Sequence, residues 1–109
     1  MPPDTILPSR LRRSLTHVGH GINVARRRRK LTGQMMAERI GVTRQTYQRV
    51  ERGDPSVAIG TYLMALFVLG LDTEGLERSA DPQADATGTA LDIAELPKRV
   101  TPKRTPQPK

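Results

Sequence analysis

At 109 residues the chain has room for one small domain plus tails, and with no Cys it can form neither disulfides nor thiolate metal sites. One Phe and no Trp leave the core to aliphatic side chains, and no apolar run reaches the roughly 18 residues of a membrane span or resembles a signal-peptide core. A formal charge of +7 and a pI near 10.8 favour a polyanionic partner, either nucleic acid or a membrane surface.

That charge comes in blocks. Residues 1–31 carry +7, residues 32–71 carry +1, residues 72–96 carry −6 and residues 97–109 carry +5. A uniform nucleic-acid coat does not need a strongly acidic segment, so the −6 block points to a second task.

Residues 1–13 contain three prolines and no helical period. They read as a flexible basic arm that tracks phosphates or a minor groove, or as a terminus without a role. Residues 15–30 predict a first helix, with Leu15, Val18, Ile22 and Ala25 on its inner face. Gly19 and Gly21 weaken that helix by about 1 kcal/mol each relative to Ala. His17 and His20 have no carboxylate or Cys near them in sequence and read as surface residues rather than metal ligands. The run Arg26–Lys30 turns about 100° per residue, so its five cations cannot share one face.

Residues 32–53, TGQMMAERIGVTRQTYQRVERG, predict two short helices joined by a tight turn. Thr32 caps the first, which buries Met36, Ala37 and Ile40, and Gly41 ends it. Val42 plugs the turn. Thr43 caps the second helix, 44–52, in which Tyr47 and Val50 face inward and Arg44, Gln45, Gln48 and Arg49 stay outside. Arg and Gln side chains form bidentate hydrogen bonds to purine edges, so this exposed face has the chemistry of a major-groove reader. Beyond Gly53, Pro55 forbids continuation and Ser56 caps a helix over 58–69, with Ile59, Tyr62, Leu63, Leu66 and Phe67 inward. Residues 72–80 predict a short fifth helix with Leu76 inward, and 86–96 a short amphipathic helix ending before Pro97. The last residues, TPKRTPQPK, are basic and proline-rich and predict disorder.

The run from Leu31 to Gly53 resembles the Cro/CI-type, or XRE, helix-turn-helix family. Leu31, Thr32, Ala37, Gly41, Val42, Thr43, Glu51 and Gly53 carry the likeness. Gly33 departs from it, standing where the family prefers glutamine with Gln34 behind it, and so does Tyr47, in place of a smaller aliphatic residue. The resemblance implies an all-α fold, a compact four- to five-helix bundle of the Cro/CI repressor type with flexible basic termini. It divides the chain into an arm (1–13), a helix-turn-helix domain (14–71), an acidic segment with short helices for dimer or partner contact (72–96) and a disordered basic tail (97–109). Base reading is then expected from Arg44, Gln45, Gln48 and Arg49, and backbone contact from Thr32, Gln34, Thr43, Arg52 and Ser56. Arg26 and Glu51 are expected to form a structural ion pair.

No GxxxxGK[ST], HExxH, Cys nucleophile or carboxylate-supported His is present, so neither catalysis, a cofactor nor a metal is expected. The implied activity is repression from an inverted-repeat operator by a homodimer in the cytoplasm, associated with the nucleoid. Residues Glu51–Leu71, followed by the acidic stretch and LDIAELPKRV, further resemble HipB-like antitoxins. That likeness implies a HipA-type kinase toxin as partner; a stand-alone phage-like or metabolic repressor is the alternative.

Overall fold

The structure is a computed structural model and describes residues 7–88 and 93–102. Among these every regular element is helical. They are α1 (Ser9–Arg28), α2 (Gly33–Ile40), α3 (Arg44–Arg52), α4 (Ile59–Val68) and α5 (Gly75–Ser79), then single 3₁₀ turns at Pro82–Ala84 and Ile93–Glu95. The all-α helix-turn-helix bundle expected from the sequence is thus the observed fold. The chain divides between Thr73 and Glu74 into two units.

In the first unit Ile22 and Ala25 of α1, Met36 and Ala37 of α2, Tyr47 and Val50 of α3, and Tyr62, Ala65 and Leu69 at α4 form one buried cluster. Helix α3 is held between α1 and α2, and α4 packs on α2. Helices α2 and α3 begin alike: the hydroxyls of Thr32 and Thr43 accept hydrogen bonds from the amides of Met35 (3.0 Å) and Thr46 (3.1 Å). Both end on left-handed glycines, Gly41 at φ 84° and Gly53 at φ 72°.

Four expectations in the first unit need correction. Helix α1 starts at Ser9, inside the segment read as an arm. Pro8 pre-sets the entry angle and its carbonyl accepts from the amides of Leu11 and Arg12, both at 3.0 Å, while Arg10–Arg13 are good helix formers. Residues 1–6 lie outside the described residues.

Second, Val18 is exposed, and the buried position beside it is Gly19. A Cβ on Gly19 would sit 2.5 Å from the carbonyl oxygen of Glu51, 2.6 Å from that of Val50 and 2.7 Å from the amide nitrogen of Gly53. A Cβ on Gly53 would in turn strike the carbonyl of Leu15. The α1 backbone therefore lies directly on the end of α3, and the glycine that costs the helix propensity makes the crossing possible.

Third, the inner face of α4 is rotated from the expected one. Tyr62, Ala65 and Leu69 are buried, whereas Ile59 is 59% and Phe67 68% exposed. The helix is apolar nearly all round, so its periodicity could not select a face. The small Ala65 allows close approach to the cluster, and the Tyr62 hydroxyl donates to the Asp54 carbonyl at 2.7 Å.

Fourth, Ser56 does not cap α4. Its amide and hydroxyl both donate to Asp54 Oδ1, at 2.8 and 2.7 Å, and the helix begins later, behind Ala58, without a side-chain cap.

In the second unit no described residue is buried, and Leu76, expected inward, is 49% exposed on the five-residue α5. Too short to bury a face by itself, that helix is held by local bonds such as Ser79 Oγ to the Gly75 carbonyl (3.0 Å). The helix expected over 86–96 has its centre, 89–92, outside the described residues, with a turn before it and the 3₁₀ turn Ile93–Glu95 after. Of the basic tail, residues 103–109 also lie outside them.

Candidate nucleic-acid interface

Helix α3 advances about 100° per residue, which places Arg44, Gln48, Arg52, Gln45 and Arg49, in that order, on one arc of about 140°. All five side chains are exposed. Tyr47 and Val50 occupy the opposite side of the helix and are almost fully buried. The result is a helix with a core-facing edge of two residues and an outer surface made of three guanidiniums and two carboxamides, with no acid among them.

The frame that holds this surface centres on Glu51. Its carboxylate accepts from Arg26 Nε (2.6 Å), Arg26 Nη2 (3.2 Å), Asn23 Nδ2 (2.8 Å) and the Tyr47 hydroxyl. Arg26 is completed by a 2.8 Å bond from Nη1 to the carbonyl of Leu31. The Arg26 and Glu51 side chains are only 16% and 15% exposed. Burial pushes the Glu51 carboxyl upward, but the donors from Arg26, Tyr47 and Asn23 outweigh it and hold it below its ordinary value. The Tyr47 hydroxyl is pushed well up by burial and by its bond to the anion, and the Arg26 guanidinium is raised chiefly by its bond to Glu51.

Asn23 and the Tyr47 hydroxyl are members of this cluster that the sequence did not mark. The i, i+3 spacing of Asn23 and Arg26 on one helix face was their available signal, together with the i, i+4 spacing of Tyr47 and Glu51. The two departures from the family pattern also meet here: a Cβ on Gly33 would lie 3.8–3.9 Å from the Tyr47 ring. The larger aromatic thus lies against the position that has no side chain.

The residues expected at the DNA backbone are spread around the reading helix. Thr32 and Thr43 sit at the N-termini of α2 and α3, their hydroxyls engaged as caps, and Thr43 Oγ1 also donates to Thr46 Oγ1 at 3.0 Å. Gln34 is exposed and donates to Glu38 Oε1 at 3.1 Å. Ser56 is tied to Asp54, whose carboxyl is held low by the hydroxyl and amide of Ser56, with Arg49 and Arg52 adding to the effect. Burial and the nearby Asp54 charge push the Tyr62 hydroxyl up to about 12. Among the described residues no group of three or more His, Cys, Asp or Glu side chains is placed to hold a metal ion, and no helix is long and apolar enough to cross a membrane.

Two capped helices at a glycine turn, the second with an Arg/Gln outer face, define a helix-turn-helix protein. Residues 22–74 match the family model described as Helix-turn-helix, and this segment is a DNA-binding helix-turn-helix of the Cro/CI, or XRE, type. No curated protein and no solved structure matches the chain.

Proposed function

We propose that the protein is a sequence-specific transcriptional repressor that binds an inverted-repeat operator as a homodimer. The observation that carries this reading is the arc of Arg44, Gln45, Gln48 and Arg49, exposed together on a short helix that Glu51 and Arg26 hold in place. These four residues read base edges in the major groove. Thr32, Gln34, Thr43, Arg52 and Ser56 contact the phosphates on either side, where the amides at the starts of α2 and α3 add partial positive charge. One helix of nine residues reaches only a few base pairs, so useful specificity calls for two half-sites about one helical turn apart.

Arg44→Ala and Arg49→Ala should each weaken operator binding by about 1–3 kcal/mol and leave random duplex nearly unaffected. Titrations on both duplexes check this, and equal losses on the two would assign these arginines to phosphate instead. Operator affinity should also fall steeply between low and moderate salt.

The acidic block supports a further role, that of the antitoxin in a HipA-type module, with residues 72–96 engaging the kinase toxin. Its −6 charge disfavours DNA and its apolar positions suit docking on another protein. Affinity capture from the native host should then retain a kinase-like protein encoded beside this chain. A dimer that binds its operator but captures no such kinase is a stand-alone repressor.

A further inference from the structure

The outer face of α1 carries a second basic surface. Arg10, Arg13, His17, His20, Arg27 and Arg28 recur at spacings of three, four and seven residues, with one added at the end, and all six are exposed. On a helix turning about 100° per residue they fall within one stripe of about 100°, running about 27 Å along the axis. The twenty residues of α1 include no acid to neutralise it.

The stripe points away from the reading surface. Helix α1 meets α3 through Gly19, which lies about 140° around α1 from the middle of the stripe. Helix α3 meets α1 at Val50, about 170° around α3 from the middle of the reading arc, and along the backbone of Glu51 and Gly53 at its C-terminal end. A duplex seated on α3 therefore has both helices between itself and the stripe, a thickness of roughly two helix diameters, or about 20 Å.

The chemistry of the stripe selects its partner. Its only apolar member is Val24, which is half-buried. The cores of protein interfaces are built on apolar and aromatic anchors, and this face exposes none. Guanidiniums and imidazole N–H donors without an apolar anchor suit a partner of regularly spaced fixed anions, which is a nucleic-acid backbone. We propose that the outer face of α1 binds the phosphates of a second DNA duplex, so that one molecule bridges two duplex segments. This rests on the DNA-binding reading of α3 and adds to it a non-specific, salt-sensitive second site.

The test uses the full-length protein, one random-sequence duplex on beads and a second, fluorescent random-sequence duplex in solution at low salt. The protein should bind the bead duplex and then capture the fluorescent one. The variant R10Q/R13Q/R28Q, altered only at exposed positions and verified by its helical spectrum and melting point, should keep bead binding within about twofold and lose capture by about tenfold or more. Bead binding without capture by the parent overturns the second site, as does undiminished capture by the variant. Equal loss of bead binding and capture places the stripe on the same duplex and also overturns it. Binding of polyglutamate through the stripe, with no capture of DNA, would assign the face to an acidic polypeptide. Failure of the parent to bind the bead duplex would instead sink the DNA-binding reading itself.

Discussion

Gly19→Val is expected to unfold the domain or leave it barely stable at room temperature. Even the first atom of the new side chain would stand 2.5–2.7 Å from three backbone atoms of residues 50–53. Backbone at a capped helix end cannot swing aside as a long side chain can. Overpacking of a core usually costs about 1–3 kcal/mol, and a rigid contact with two further methyl groups behind it belongs at or above the top of that range. Small domains have only about 5–15 kcal/mol in total. The control is Gly21→Ala, two residues along the same helix, where a Cβ meets nothing within 4 Å. There the gain in helix propensity acts alone and should raise stability by about 0.5–1 kcal/mol. Thermal melts of the two variants should therefore move in opposite directions, and a Gly19→Val protein that melts like its parent would refute the close crossing of α1 and α3.

The second large effect is at Glu51. Glu51→Ala strands the Arg26 guanidinium, the Tyr47 hydroxyl and the Asn23 amide, all part-buried donors directed at one carboxylate. Breaking a buried ion pair from one side costs about 3–5 kcal/mol, and the residual exposure of this pair puts the expected loss near the lower bound, at about 3 kcal/mol. For a domain of this size that lowers the melting temperature by well over 10 °C, at roughly 4–8 °C per kcal/mol. The same carboxylate sets part of the acid response. Its folded pKa lies below the ordinary 4.5, so its contribution is fully present above that value and is lost as pH falls through the folded value. Denaturant midpoints measured downward from pH 6 should fall for the parent, and Glu51→Gln, starting lower, should show a shallower fall. Parallel pH profiles would remove Glu51 from the account.

The helix-turn-helix was legible because its signals are local and redundant. Thr32 and Thr43 stand where caps are needed, Gly41 and Gly53 where left-handed residues are needed, and the apolar spacing between them has one helical solution. Arg44, Gln45, Gln48 and Arg49 lay outside the apolar pattern of α3, so their exposure could be read from the same periodicity. What could not be read depends on contacts distant in sequence. Gly19 looks like a flaw within its own helix and acquires its purpose only from residues 50–53. Asn23 looks like a neutral surface residue until Glu51 is beside it. The inward face of α4 is not legible in the sequence because a helix apolar on every side carries no phase; only its neighbours select Tyr62 and Ala65 over Ile59 and Phe67. Ser56 had two possible partners, a helix start and the Asp54 carboxylate, and the shorter loop through Asp54 prevailed.

The separation between the two edges of α3 has a consequence for how such a protein can change over generations. Tyr47, Val50 and Glu51 face the frame, while Arg44, Gln45, Gln48 and Arg49 stand outside it. Substitutions at exposed positions away from such a frame usually alter stability by no more than about 0.5 kcal/mol in either direction. Mutations that rewrite the recognised sequence therefore need not be accompanied by repair of the scaffold. On the proposed function, duplicated copies of such a chain can drift toward different operators one residue at a time, each intermediate still folded, which is the condition for new regulatory circuits to arise by gradual divergence.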